Sequence, residues 1–138
     1  MSLIEVIVVM GLLGMVLAFG MVVSLNSITR GTLIGERDLL VSLLISTRTR
    51  AMANVDELPQ GVHVSATAFT TFEGSSYTAG NPTNRDIPRT TSATTTGPST
   101  IVFDQLSANV TTGAGTVAMG DGTATTTIDL GAYGRIEW

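Results

Sequence analysis

From Val6 to Val23 the chain reads VIVVMGLLGMVLAFGMVV. These 18 residues hold no charged side chain. As a helix rising about 1.5 Å per residue they would extend roughly 27 Å, close to the hydrocarbon thickness of a bilayer. A helix on the surface of a globular core keeps a polar face, and this stretch has none. A secretory signal peptide would carry a basic start, a shorter apolar run and a small-residue cleavage site. Here the first basic residue is Arg30. The expectation is a helix that resides in a membrane at some stage or is buried among other subunits.

Glu5 stands at the threshold of the apolar run, after Met1-Ser2-Leu3-Ile4. A carboxylate entering an apolar environment is costly unless it is neutral, interfacial or paired. Ser2-Leu3-Ile4-Glu5-Val6, followed by the unbroken apolar run, closely resembles the start of a mature type IV pilin or pseudopilin. The resemblance covers about the first 25 residues. It implies that Met1 is the residue freed by a prepilin peptidase and then N-methylated. It implies that Glu5 pairs with the N-terminal amine of a neighbouring subunit and so fixes axial register. Met1 departs from the Phe usual in the family, whereas Ser2 fits. On this reading the sequence is that of the mature chain. Many pilins carry a Pro near the end of the apolar run, but here the first is Pro59. Gly11, Gly14 and Gly20 are the weak points instead, since Gly costs about 1 kcal/mol in a helix relative to Ala. Their alternative role is close helix approach, with Gly14 and Ala18 as a small-xxx-small pair.

Beyond Ser24–Asn26 a helical pattern resumes. Ile28, Leu33, Leu40, Leu44, Ala51 and Val55 recur at spacings that track one face, with Arg30, Glu36, Arg37, Asp38, Arg48 and Arg50 at polar positions. The spacing predicts one helix from about Leu3 to Asn54, roughly 78 Å long. Leu39 to Asn54 more loosely resembles the second helical half of the minor pseudopilins of type II secretion and their type IV pilus relatives.

Composition changes after Val55. Asp56-Glu57-Leu58-Pro59-Gln60-Gly61 reads as a loop. Val62–Ala66 alternates as a strand, and Phe69–Phe72 as an edge strand. Residues from about 73 to 99 are rich in Thr, Ser, Gly, Asn and Pro and read as a long surface loop, of the kind that is often functional. Strands are expected at Thr100–Phe103, in a short piece within Leu106–Val110, and at Thr116–Met119 and Thr123–Leu130 around a Gly120-Asp121-Gly122 turn. Arg135–Trp138 ends the chain in a further strand, again resembling the minor pseudopilins. The expected fold class is α+β, a long N-terminal α-helix with an apolar first half packed on a C-terminal antiparallel β-sheet, pilin-like. The expected organisation is an apolar transmembrane or filament-core helix at 1–24, an amphipathic second half at 25–56 and a β-rich head at 57–138.

The chain has 138 residues, a net charge of −4 and only 13% charged residues. With a pI near 4.7 and no basic cluster, a nucleic-acid partner is disfavoured. There is no Cys, so disulfides, thiol nucleophiles and Cys-ligated metals are excluded. His63 is the sole imidazole and lies in an alternating strand, where a structural role is expected. Asp121 with Asp104 and Asp129 is weak evidence for calcium, which takes six to eight oxygens. Asn109-Val110-Thr111 fits the glycosylation sequon, a match common by chance. No phosphate loop, nucleophile elbow or HExxH motif occurs. The expectation is no enzyme, no cofactor and no metal.

The leading functional expectation is a structural pilin of a type IV pilus or related extracellular filament, polymerising through its N-terminal helix. The alternative is a minor or tip pseudopilin of a type II secretion or DNA-uptake system that binds a ligand or primes assembly. Implied partners are further copies of the chain, the inner-membrane assembly machinery, the prepilin peptidase and the bilayer before assembly. The implied location is the cytoplasmic membrane first and the cell surface afterwards.

Overall fold

A computed structural model describes the backbone of residues 3–89 and 93–138, and the side chains of 4–15, 31–89 and 93–138. The chain divides into two units, Met1–Thr32 and Leu33–Trp138.

Helix α1 spans Leu3–Met52. Its described side chains fall in two stretches with opposite character. In 4–15 every side chain is exposed. In 31–52, Leu33, Leu40, Val41, Leu44, Thr47 and Ala51 are buried. Their spacings of three, four and seven return to one face of a 3.6-residue helix, which is why this stretch finds a core. Asn54 follows in the left-handed region, with φ 53°, and ends the helical run.

The strands form two antiparallel sheets. The first contains β1 (Gln60–Val64), β2 (Ala68–Glu73), β3 (Arg85–Pro88), β5 (Thr100–Phe103) and β6 (Val110–Thr112), in the order β3-β2-β1-β5-β6. The second contains β4 (Thr94–Thr96), β7 (Gly115–Gly120), β8 (Thr125–Leu130) and β9 (Ile136–Glu137), in the order β4-β7-β8-β9. Alternate residues of both sheets point at the same core. Val62, Val64, Phe69, Ile101 and Phe103 come from the first, and Val117, Met119, Ile128 and Leu130 from the second. They meet Leu33, Leu40, Leu44 and Ala51 of α1. Gly61 is required by close approach, because a Cβ there would run into the Phe72 ring.

These observations correct the expected fold class. A long N-terminal apolar helix packed on one antiparallel sheet is not what the structure shows. The described apolar stretch, 4–15, lies in a different unit from the strands and buries no side chain. Among the described residues, only the stretch from Leu33 onward contributes to the core, and two sheets receive it in place of one. The physical reason is patterning: 4–15 has no polar side that would orient it against a sheet, whereas 31–52 has one.

The expected location is corrected as well. Among the described residues, no helix is long and apolar enough to cross a membrane, which overturns insertion in the cytoplasmic membrane before assembly. The 12 side chains of 4–15 account for only about 18 Å of helix, against a bilayer core of roughly 30 Å. The remainder of the expected Val6–Val23 span, with Ala18 and Gly20, lies outside the described side chains.

Further differences lie in the head. Phe69–Phe72 falls within β2, which is paired on both sides and is no edge strand. The expected loop at 73–99 contains β3 and β4. Each pairs on one side only, so a Thr-rich sequence without apolar alternation suffices. Residues 90–92 of that stretch lie outside the described residues.

Candidate assembly surface and polar sites

Among the residues singled out from the sequence, Met1 lies outside the described residues. Glu5 is exposed in the first turn of α1, where the helix dipole favours a carboxylate. Around it and beyond it, Ile4, Val6, Ile7, Val8, Val9, Met10, Leu12, Leu13 and Met15 are all exposed; Met10 keeps 67% of its surface and Leu12 59%. The exposed side chains follow one another without a gap, so the apolar surface runs all round the helix. Gly11 and Gly14 sit within it, and a Cβ on either would meet nothing within 4 Å. Neither glycine is needed for a contact inside the chain. Both leave shallow spots through which another helix backbone could approach closely.

The head carries a buried ion pair, one member of which, Glu36, the sequence pattern put at a polar position of the helix. Glu36 and Arg89 have side chains 0% and 1% exposed. Arg89 Nε donates to Glu36 Oε1. Its Nη1 donates to the Ser65 carbonyl at 2.8 Å and its Nη2 to the Ala93 carbonyl at 2.7 Å. The guanidinium also lies 5.2 Å from the centre of the Phe69 ring. These contacts tie α1 to the chain on both sides of the step from β3 to β4, the step that leads from one sheet to the other. With both charges closed to solvent, the pair has the arrangement of a structural clamp. A signal for Glu36 existed: it lies three residues after Leu33 and four before Leu40, on the apolar stripe itself. Arg89 had no comparable signal in its Thr-rich surroundings.

His63 lies on β1, on the face away from Val62 and Val64. Its Nδ1 is 2.9 Å from Thr100 Oγ1. Tyr77 stacks on the imidazole with ring centres 3.9 Å apart, and meets Phe72 edge-on at 5.6 Å. Burial pushes the imidazole below its ordinary value of 6.5, opposed by a backbone hydrogen bond at Ser99. The Tyr77 stack thus pins the 74–84 connection over the first sheet.

Asp121 closes the β7–β8 hairpin. Its Oδ1 accepts from the Ala124 and Thr123 amides and the Thr123 hydroxyl, each at 2.8 Å. Those bonds hold its carboxyl below the usual range. Asp129 accepts from the Thr116 hydroxyl, and Asp104 from Ser107 at 3.3 Å. The three aspartates serve separate local bonds. Among the described residues, no group of three or more His, Asp or Glu side chains could hold a metal ion.

Comparison of the chain with protein-family models, curated proteins and solved structures finds no match. The resemblance of the N-terminal motif therefore stands on that motif's own residues.

Proposed function

We propose that this chain is a structural subunit of a type IV pilus or related filament, a pilin that polymerises through its N-terminal helix. The observation that carries the reading is the unbroken exposed apolar surface of 4–15. A stripe would be satisfied by one partner. A surface that is apolar all round needs several neighbours, as in the core of a helical polymer. Fully burying a Val, Leu, Ile or Met side chain gains about 1.5–3 kcal/mol. Nine such side chains, already partly covered by their own helix, offer on the order of 10 kcal/mol of gross attraction before the cost of association. Apolar attraction has no direction, so register needs a polar group. Glu5 supplies it in this reading, toward the amine of a neighbouring Met1. The contact joins unlike surfaces and does not close, which is the requirement for a filament. Partners are further copies of the chain, assembly machinery and a prepilin peptidase that exposes Met1.

The test is electron microscopy of filaments sheared from producing cells, with mass spectrometry of the same fraction. The expected result is abundant thin filaments made mainly of this chain, with a methylated Met1. Glu5→Leu should abolish filaments while the amount of chain stays unchanged. Filaments at normal yield and length in that variant would remove the register role. A trace of the chain beside another dominant subunit would replace the proposal with a tip or priming role.

A further inference from the structure

The Arg85 side of the head holds a cleft of about 480 Å³, within the range of small-ligand sites. Its origin lies in the sheet register. Val62, Thr71 and Arg85 are successive partners across β1, β2 and β3, and so lie on one face. That is the face on which α1 packs, since Val62 and Phe69 share the core with Leu40 and Leu44. Between α1 and the outer strands of this sheet, β2 and β3, the packing leaves a gap. Leu43, Ser46 and Arg50 of α1 form one wall of the gap, and Thr71, Glu73 and Arg85 the other.

The charges in this cleft are unequal. Arg50 is satisfied by Glu73 at 2.8 Å and by the side-chain amide oxygen, Oε1, of Gln60 at 3.3 Å. The Arg85 side chain makes no hydrogen bond or ion pair among the described residues. The cleft therefore presents one uncompensated guanidinium, the hydroxyls of Ser46 and Thr71, the Thr83 hydroxyl, which donates to Asn81 Oδ1 at 3.1 Å and keeps its capacity to accept, and apolar surface from Leu43 and Ile87. A guanidinium fork matches a carboxylate in two parallel hydrogen bonds. Hydroxyls can donate and accept, so they suit a ligand that is itself rich in hydroxyls. We propose that this cleft binds an acidic saccharide of the uronate type, its carboxylate on Arg85 and its ring hydroxyls against Ser46, Thr71 and Thr83.

The proposal is independent of filament assembly, because every residue in it belongs to the head. A competing role for Arg85 is an inward charge on an edge strand, which discourages edge-to-edge pairing. Titration calorimetry of the full chain separates the two, using tri-galacturonate as probe with maltotriose and inorganic phosphate as controls. Saturable binding of tri-galacturonate is expected, with none of maltotriose. Arg85→Gln should weaken it at least about tenfold, and Arg85→Lys by less, since Lys keeps the charge but loses the fork. Circular dichroism checks that both variants fold. Should Arg85→Gln fail to fold, Thr71→Val takes its place, with a severalfold loss expected. No saturable binding at millimolar probe, equal binding of maltotriose, phosphate binding as tight as the uronate, or an unchanged affinity in Arg85→Gln each overturn the proposal. Aggregation of Arg85→Gln without any change in ligand binding would establish the edge-protection role instead.

Discussion

The two described stretches of α1 belong to one helix and have opposite fates. In 31–52, apolar residues alternate with Glu36, Arg37, Asp38, Arg48 and Arg50, and one stripe enters the head's core. In 4–15, Glu5 is the lone charged residue and every described side chain remains exposed. Both stretches are rich in Leu, Ile and Val, so hydrophobicity alone does not separate them. Periodicity does: a helix with a polar side can be satisfied within its own chain. A helix without one has no preferred face to offer a single sheet, and its surface is available to other molecules.

The comparison can be broken most sharply at the clamp on the buried side. Removing one member of a buried ion pair strands the other charge, typically at about 3–5 kcal/mol. Glu36→Ala and Arg89→Ala should each destabilise the head by roughly that much in urea unfolding. Replacing both by apolar residues of similar volume, Glu36→Leu with Arg89→Met, should recover most of the loss. A double variant as unstable as the two single losses added together would show that the clamp is more than a compensated charge pair.

A second, smaller contrast uses one leucine from each stretch. Leu44 is fully buried, and Leu44→Ala should cost about 2–5 kcal/mol of head stability through lost contacts and a cavity. Leu12 is exposed, and Leu12→Ala should stay within about 0.5 kcal/mol in the same measurement. The order should reverse in a filament-yield assay, where Leu12→Ala reduces assembly. Deletion of residues 1–27 extends the test. The head should keep its unfolding midpoint, and a lost midpoint would mean that the deleted stretch supports the head directly.

Much of the head was legible because its strands obey simple rules. Thr100–Phe103 matches β5, and the Gly120-Asp121-Gly122 turn does join β7 to β8. The stripe of Leu33, Leu40, Leu44 and Ala51 was readable from spacing, and it does enter the core. Four features were not legible. Glu36 was read as a polar position by its charge, although its place on the stripe pointed inward. Its partner lies 53 residues away, and nothing local encodes that distance. β3 and β4 were hidden in a Thr-rich stretch because an edge strand needs few apolar residues. The fate of the first apolar stretch depends on what surrounds it, and a chain's own pattern states only that it lacks a polar face. The Arg85 cleft was invisible for another reason: it arises from register between β1, β2 and β3, and register appears only once the strands pair.

The smallest expected effect concerns the other face of the first sheet, where His63 lies beneath Tyr77. Burial favours the neutral imidazole in the folded head, so its folded value lies below the ordinary 6.5. The unfolded chain then binds more protons than the folded one in the window just below 6.5. The contribution of His63 to stability is therefore complete above 6.5. It is lost as pH falls through that value toward the folded one, and levels off below it. Other groups titrate in the same range, so wild type should be compared with His63→Phe, which keeps an aromatic ring for Tyr77 and removes the titration. Urea midpoints measured between about pH 7.5 and pH 5 should fall more steeply in wild type than in the variant. A weakened stack should also free the 74–84 connection, and protease cleavage there should rise in wild type at the acid end alone. Parallel pH curves for the two proteins would mean that His63 keeps the same proton affinity folded and unfolded, and that Tyr77 holds the connection without regard to its charge.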